Sequence, residues 1–187
     1  MGKKQAETKA PFDLSIMPGQ TAPLGFWDPA QFTLDTTESQ YKVYQEAELK
    51  HGRIAMLAFL GIVVGENFNP LFNHQITGPA IFQFQQADAI VSYFWLGVMM
   101  VCGWIEGQSI IDIWQTPEET FSDPSGVAKL KPSHVAGDLG FDPLGLMPKV
   151  PEKVLSVKNK ELNNGRLAMV GVAGIVAQEF YTGAPIF

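Results

Sequence analysis

The chain has 187 residues, enough for one or at most two domains, and with 46% apolar and 17% charged residues it is poor in charge for a water-soluble protein. Thirteen basic against nineteen acidic residues leave a net charge of -6 and a pI near 5.0, which excludes the basic face that nucleic acid requires. A single cysteine excludes an internal disulfide, and a mean hydropathy of +0.06 averages polar loops with apolar runs, so the segments decide the class.

Residues 1–37 read as an N-terminal segment. Met1 to Lys9 carries basic residues without an apolar core, so no signal peptide is expected there and any targeting sequence is expected to have been removed or to lie outside this sequence. Leu24-Gly-Phe-Trp-Asp-Pro29 combines Gly and Asp-Pro, which favour a turn, with aromatic side chains suited to an apolar surface. Residues 38–68 form the first expected helix, in which Glu48-Leu-Lys-His-Gly-Arg53 heads the apolar run Ile54 to Gly65. Residues 69–88 read as a loop, where Phe82, Phe84, Gln85 and Gln86 are packing residues and His74 is solvated.

The second expected helix, 89–113, holds the most apolar stretch. From Ala89 to Ile105 only Ser92 is clearly polar, a length suited to a short span. Cys102 reads there as an inert packing residue. Residues 114–150 read as a loop with His134 solvated and a second turn motif, Leu139-Gly-Phe-Asp-Pro143-Leu-Gly-Leu146. Residues 151–182 form the third helix, with lysines ahead of Glu161-Leu-Asn-Asn-Gly-Arg166 and the apolar run Leu167 to Ala177.

The first and third helices are a repeat. Ten of nineteen positions agree between 48–66 and 161–179, among them the Glu, the Gly and the Arg. Within one helix Glu48 and Arg53 point about 140° apart, so the Arg needs another partner. In lipid an unmatched charge costs about 2.5–3.5 kcal/mol on insertion scales. A pseudo-twofold crossed pair would set Glu48 against Arg166 and Glu161 against Arg53, with Gly52 and Gly165 allowing close approach. The expected fold is therefore an all-α membrane protein of three transmembrane helices, in which the first and third are a crossed pair locked by reciprocal Glu–Arg ion pairs.

Polar groups are spread singly along these helices: Glu48 and His51, Glu106, then Glu161, Asn164 and Gln178. Asn164 and Gln178 return to within about 40° of one direction and lie roughly 21 Å apart along the axis. Such isolated groups do not make a zinc or di-iron cluster. They suit a metal that brings most of its own coordination, as chlorophyll magnesium does, where an imidazole, an amide oxygen or a carboxylate neutralised by Arg fills one axial position.

With these motifs at their mutual spacing, the chain resembles the light-harvesting chlorophyll-binding superfamily over roughly positions 23 to 185. The resemblance implies that Glu48, His51, Glu106, Glu161, Asn164 and Gln178 are chlorophyll ligands and that Arg53 and Arg166 pair with the ligand carboxylates. It also implies that the turn motifs, through Phe26, Trp27, Asp28 and Pro29 and through Phe141, Asp142, Pro143 and Leu144, hold carotenoid head groups. Two features depart from the green-plant pattern: Val98 stands eight residues before Glu106, where some members carry a Gln ligand, and the sequence reaches Phe187 without a C-terminal amphipathic helix and its His. These features, with Trp114 to Pro124, resemble antennae of red-lineage algae, in particular the photosystem I-associated branch. The resemblance further implies a multi-pass protein of the plastid thylakoid membrane, not an enzyme, carrying chlorophyll a, chlorophyll c and xanthophylls. Its expected partners are photosystem core subunits, neighbouring antenna proteins and thylakoid lipids.

The expected function is light harvesting with excitation transfer to photosystem I. A photoprotective relative that dissipates energy as heat is the alternative, and excited-state lifetime separates the two. A small ion or proton transporter with Glu and Arg as a relay is the alternative of another class; it predicts a stable, colourless protein.

Overall fold

A computed structural model describes residues 17–33, 36–68, 71–122, 129–142 and 145–186. Among the described residues five α-helices follow one another: α1 Glu38–Asn67, α2 Ala80–Ile90, α3 Phe94–Ile113, α4 Pro117–Ser122 and α5 Pro151–Thr182, with one 3-10 turn at Leu71–His74. α1 and α5 have 30 and 32 residues, roughly 45 and 48 Å of helix.

The two long helices begin and end where their sequences tell them to. Thr37 and Gln40 form a reciprocal capping box at the head of α1. α5 starts on Pro151, whose missing N–H costs nothing in a first turn, and stops at Gly183 in the left-handed conformation. Between them, Leu49, Gly52 and Ala55 of α1 and Leu162, Gly165 and Ile175 of α5 are buried. The helices cross at the two glycines: a Cβ added to Gly52 would lie 3.0 Å from the Gly165 Cα, and one added to Gly165 would lie 2.9 Å from the Gly52 Cα. No side chain fits there, so glycine at both positions sets the crossing point.

The region around α2 differs from the sequence expectation. Residues 69–88, expected as loop, contribute most of α2, and the chain turns at Val91–Tyr93 before α3 starts at Phe94 rather than at Ala89. α2 follows Pro79, which supplies no side-chain cap. Its first amides instead donate to carboxylates from both long helices: Ala80 N to Glu66 Oε1 at 3.1 Å and Ile81 N to Glu179 Oε2 at 2.9 Å. A helix capped from remote parts of the chain is invisible to local reading. Glu66 also accepts from Ile186 N, and Glu179 is 1% exposed. The loop 114–150 likewise contains the short α4.

α3 is the one helix among the described residues that is long and apolar enough, by composition, to cross a membrane. Ile113 at its end is its only buried residue. Its exterior carries Met99 and Met100, Trp104 and Ile111, each more than half exposed, and Cys102 is exposed beside them. At its head Trp95 stacks on Phe84 of α2 with ring centroids 4.2 Å apart and donates Nε1–H to the Phe84 carbonyl. At its tail the Lys131 ammonium donates to the Ile111 carbonyl, and a one-rung bridge joins Trp114 to Leu130.

Candidate functional site

The repeated motifs meet where α1 crosses α5. Arg53 Nε donates to Glu161 Oε1 at 2.7 Å, and Arg166 Nε donates to Glu48 Oε1 at 2.6 Å. Each guanidinium has a second task. Arg53 Nη2 donates to the Gly137 carbonyl, in the segment that leads into α5, and Arg166 Nη1 donates to the Gly19 carbonyl, in the segment that leads into α1, both at 2.7 Å. Each Arg thus ties its own helix to the partner helix and to the partner's approach segment. All four charged side chains are about a third exposed, between 31% and 41%. The arginines bind one oxygen of each carboxylate, so the pairs are neutral yet retain an oxygen with lone pairs to offer.

The other candidate ligands point outward. His51 is exposed, and its Nδ1 lies 2.7 Å from the Ala47 carbonyl. A carbonyl can only accept, so Nδ1 carries a proton, and in the neutral ring the lone pair is then on Nε2, the form in which imidazole binds a metal. Asn164 and Gln178 are exposed on α5 and Glu106 on α3. The structure brings Glu48, Glu161, Arg53 and Arg166 together and leaves His51, Asn164, Gln178 and Glu106 apart. Among the described residues no three His, Cys, Asp or Glu side chains converge on one point.

Two grooves flank the crossing. One, of about 770 Å³, runs from the segment 18–28 to Glu48, Asn163 and Arg166. The other, of about 600 Å³, runs from 136–142 to Arg53, Lys158 and Glu161. Each is roofed by a turn motif. Phe26 and Trp27 line the first and Phe141 the second, all largely exposed. Pro29 belongs to the same turn, whereas Pro143 and Leu144 fall outside the described residues.

The aspartates shape these turns. Asp28 accepts from the Thr33 hydroxyl, the Thr33 amide and the Phe32 amide, and these bonds hold its carboxyl below the usual range. Asp142 accepts from the Met147 and Leu146 amides and is lowered in the same way. In both, hydrogen bonding to the charged form favours ionisation.

Several partners were not foreseen. His134, expected to be solvated, is 8% exposed and hydrogen-bonds Glu46 Oε2 at 3.1 Å, while Gly137 N donates to the same oxygen. Glu46 lies about two helical turns ahead of Arg53, and both grip the 134–137 segment. On the other side Asn159 accepts from Gly19 N and Asn163 from the Thr21 hydroxyl. Nothing local marks these residues. Glu66 and Glu179, by contrast, are among the ten repeated positions, and that identity was a usable signal. His74 is exposed.

Comparison with known proteins gives the same frame. The family profile described as Chlorophyll A-B binding protein matches residues 14–180. The chain is 44% identical over 177 residues to the light-harvesting complex stress-related protein 3.2 of Chlamydomonas reinhardtii, covering 91% of this chain and 65% of that protein. It is 41% identical over 172 residues to a fucoxanthin-chlorophyll a-c binding protein of Isochrysis galbana, covering 89% and 77%. With chlorophyll a-b binding protein 7 of Solanum lycopersicum it shares 32% over 181 residues, covering 94% and 64%. The chain spans about two thirds of the length of the stress-related relative, and somewhat more of the fucoxanthin-binding one.

Proposed function

The chain belongs to the chlorophyll A-B binding protein family, and on that premise we propose that it is a light-harvesting antenna of the plastid thylakoid, a multi-pass membrane protein that does no bond chemistry. In this reading α1, α3 and α5 all cross the membrane, and the paired charges let the two less apolar helices do so at acceptable cost. Its cofactors are chlorophyll a, chlorophyll c and xanthophylls.

The observation that carries the reading is the state of the donors. His51 commits Nδ1 to a carbonyl and leaves Nε2 as the outward ring nitrogen, Asn164 and Gln178 offer neutral amides, and Glu48 and Glu161 are neutralised by arginine. Each stands singly on a face whose neighbours, such as Leu57, Leu167 and Val170, are about 70% exposed. Large exposed apolar surface of this kind requires a non-aqueous cover. Chlorophyll, when bound, would supply a magnesium for one of these donors to hold and the ring that absorbs light. The residues of this chain fix where each ring sits, keep water away, and hold carotenoid end groups in the two grooves beside the arginine locks. Lys149, Lys153 and Lys160 then form a solvated face at the membrane surface.

Excitation passes to a photosystem, photosystem I in our reading, whose core subunits and neighbouring antennae are the partners, with thylakoid lipids around them. A second reading has its own support. The 44% identity to stress-related relatives favours a member that dissipates excitation as heat. The deciding experiment is an absorption spectrum with extracted-pigment analysis, followed by fluorescence lifetime, on protein isolated gently from its native membrane. Chlorophyll with stoichiometric carotenoid is expected, with a nanosecond-range lifetime for harvesting or a much shortened one for dissipation. A folded, colourless protein would overturn the proposal and revive the relay.

A further inference from the structure

The candidate ligands obey a rule that the sequence does not announce. Glu48 and Glu161 each have an arginine on one oxygen, while Asn164 and Gln178 are amides with no charge to balance. Glu106 is the exception that needs explaining. It is the acidic candidate on α3, and α3 contains no Lys or Arg at all. A carboxylate at this depth without a cation is costly in hydrocarbon and a poor partner for an apolar ring.

The cation comes from α1. Lys50 Nζ lies 2.6 Å from Glu106 Oε1 and 3.0 Å from the Ser109 hydroxyl, one turn further along α3. Lys50 is 25% and Glu106 53% exposed in the side chain. We propose that Lys50 is the charge-balancing and positioning partner of Glu106, which makes Glu106 a third neutralised carboxylate ligand and places its chlorophyll against the face between α1 and α3. The inference rests on the pigment-binding reading above.

The geometry supports more than a generic surface ion pair, which in water is worth little. Lysine donates through two of its three N–H groups to two side chains on successive turns of α3, which fixes both the height and the rotation of that helix against α1. It engages only Oε1 of Glu106, as the arginines engage only Oε1 of theirs. α3 meets α2 at its head and buries only Ile113, at its end, so the face that carries Glu106 is flanked by exposed apolar side chains that share its direction, such as Met99 and Ile110. A ring lying there would be walled by apolar groups with one neutralised oxygen aimed at it.

The test is reconstitution of the full chain with a native pigment extract, reading chlorophyll per purified polypeptide. Lys50→Met is expected to lose one chlorophyll and Lys50→Arg to keep it. Glu106→Gln replaces the anion by a neutral amide that needs no cation, so Glu106→Gln keeps the pigment, and the double variant Lys50→Met/Glu106→Gln regains what Lys50→Met lost. If Lys50→Met fails to assemble, the double variant still decides, because restored assembly and pigment support charge balance. Full pigment in Lys50→Met would overturn the proposal, and so would a double variant as depleted as Lys50→Met, since that outcome makes the lysine a mechanical tie. A wild-type chain that takes up no chlorophyll would instead overturn the antenna reading, and this assignment with it.

Discussion

The crossed pair α1/α5 and the lone helix α3 solve the same problem in opposite ways. α3 is the most apolar helix and is held at its head, at its tail and by Lys50. α1 and α5 carry the charges and are held by two arginines, each bonded to a partner carboxylate and a partner backbone carbonyl, with backbones in contact at the two glycines. Hydropathy therefore marks the helix that needs least from the protein. The charged helices are the scaffold, because each charge has a partner that only the correct fold provides.

The largest effect should come from breaking one arm of the lock. Arg53→Leu strands the Glu161 carboxylate and the Gly137 carbonyl together, and a broken buried pair costs about 3–5 kcal/mol, somewhat less here because the pair is a third exposed. The expected outcome is failure to assemble with pigments, read by the yield of coloured complex on reconstitution. Gly52→Ala comes next. Its methyl would meet the Gly165 backbone, and overpacking of this kind costs about 1–3 kcal/mol. A lowered thermal midpoint of the pigmented complex is the check, and an unchanged midpoint would mean that the helices do not cross at these glycines.

How far the sequence foretold these contacts depends on their range. The repeat alone pointed to Glu48 with Arg166 and Glu161 with Arg53, because a charge five residues from its counter-charge on one helix needs a second helix. It could not reveal that the same arginines reach the carbonyls of Gly19 and Gly137, since backbone carbonyls carry no sequence signal. The helix 80–90 escaped for the same reason: its cap comes from Glu66 and Glu179, on two other helices. His134 was misread as solvated because its partner, Glu46, lies far away in sequence. The candidate donors on α5 and α1 were legible by type, but the orientation of the His51 ring, with Nδ1 toward the Ala47 carbonyl, was not.

Two smaller effects sharpen the contrast. His134→Ala leaves a nearly fully buried Glu46 with only the Gly137 amide, and an unmade buried bond costs about 1–3 kcal/mol. It should loosen the segment beside the second groove and lower carotenoid content more than chlorophyll content, measured on extracts of the purified complex. Trp95→Ala removes a stacked pair worth about 0.5–1.5 kcal/mol beyond its area, which should free α3 while leaving α1/α5 intact. Hydrogen exchange resolved by segment would show protection lost over 94–113 alone, and loss over α1 as well would mean that the two regions are not independent.

The smallest effect is the pH response of the turns. Asp28 and Asp142 are held below their ordinary range, so the stabilisation they give is present above the unfolded value of about 3.9 and is lost as pH falls through the lowered folded value. Asp28→Asn with Asp142→Asn should lower the melting temperature near neutrality, and the difference from the unaltered protein should vanish in strong acid.

The most direct test is a high-resolution density map of the pigment-loaded protein. Chlorophyll magnesium is expected on His51 Nε2 and on the second oxygen of Glu48 and of Glu161, with Arg166 and Arg53 still on the first oxygens. Chlorophylls held by other side chains, or ion pairs opened to admit them, would contradict the claim that neutralised charge on a doubled scaffold is what binds the pigment.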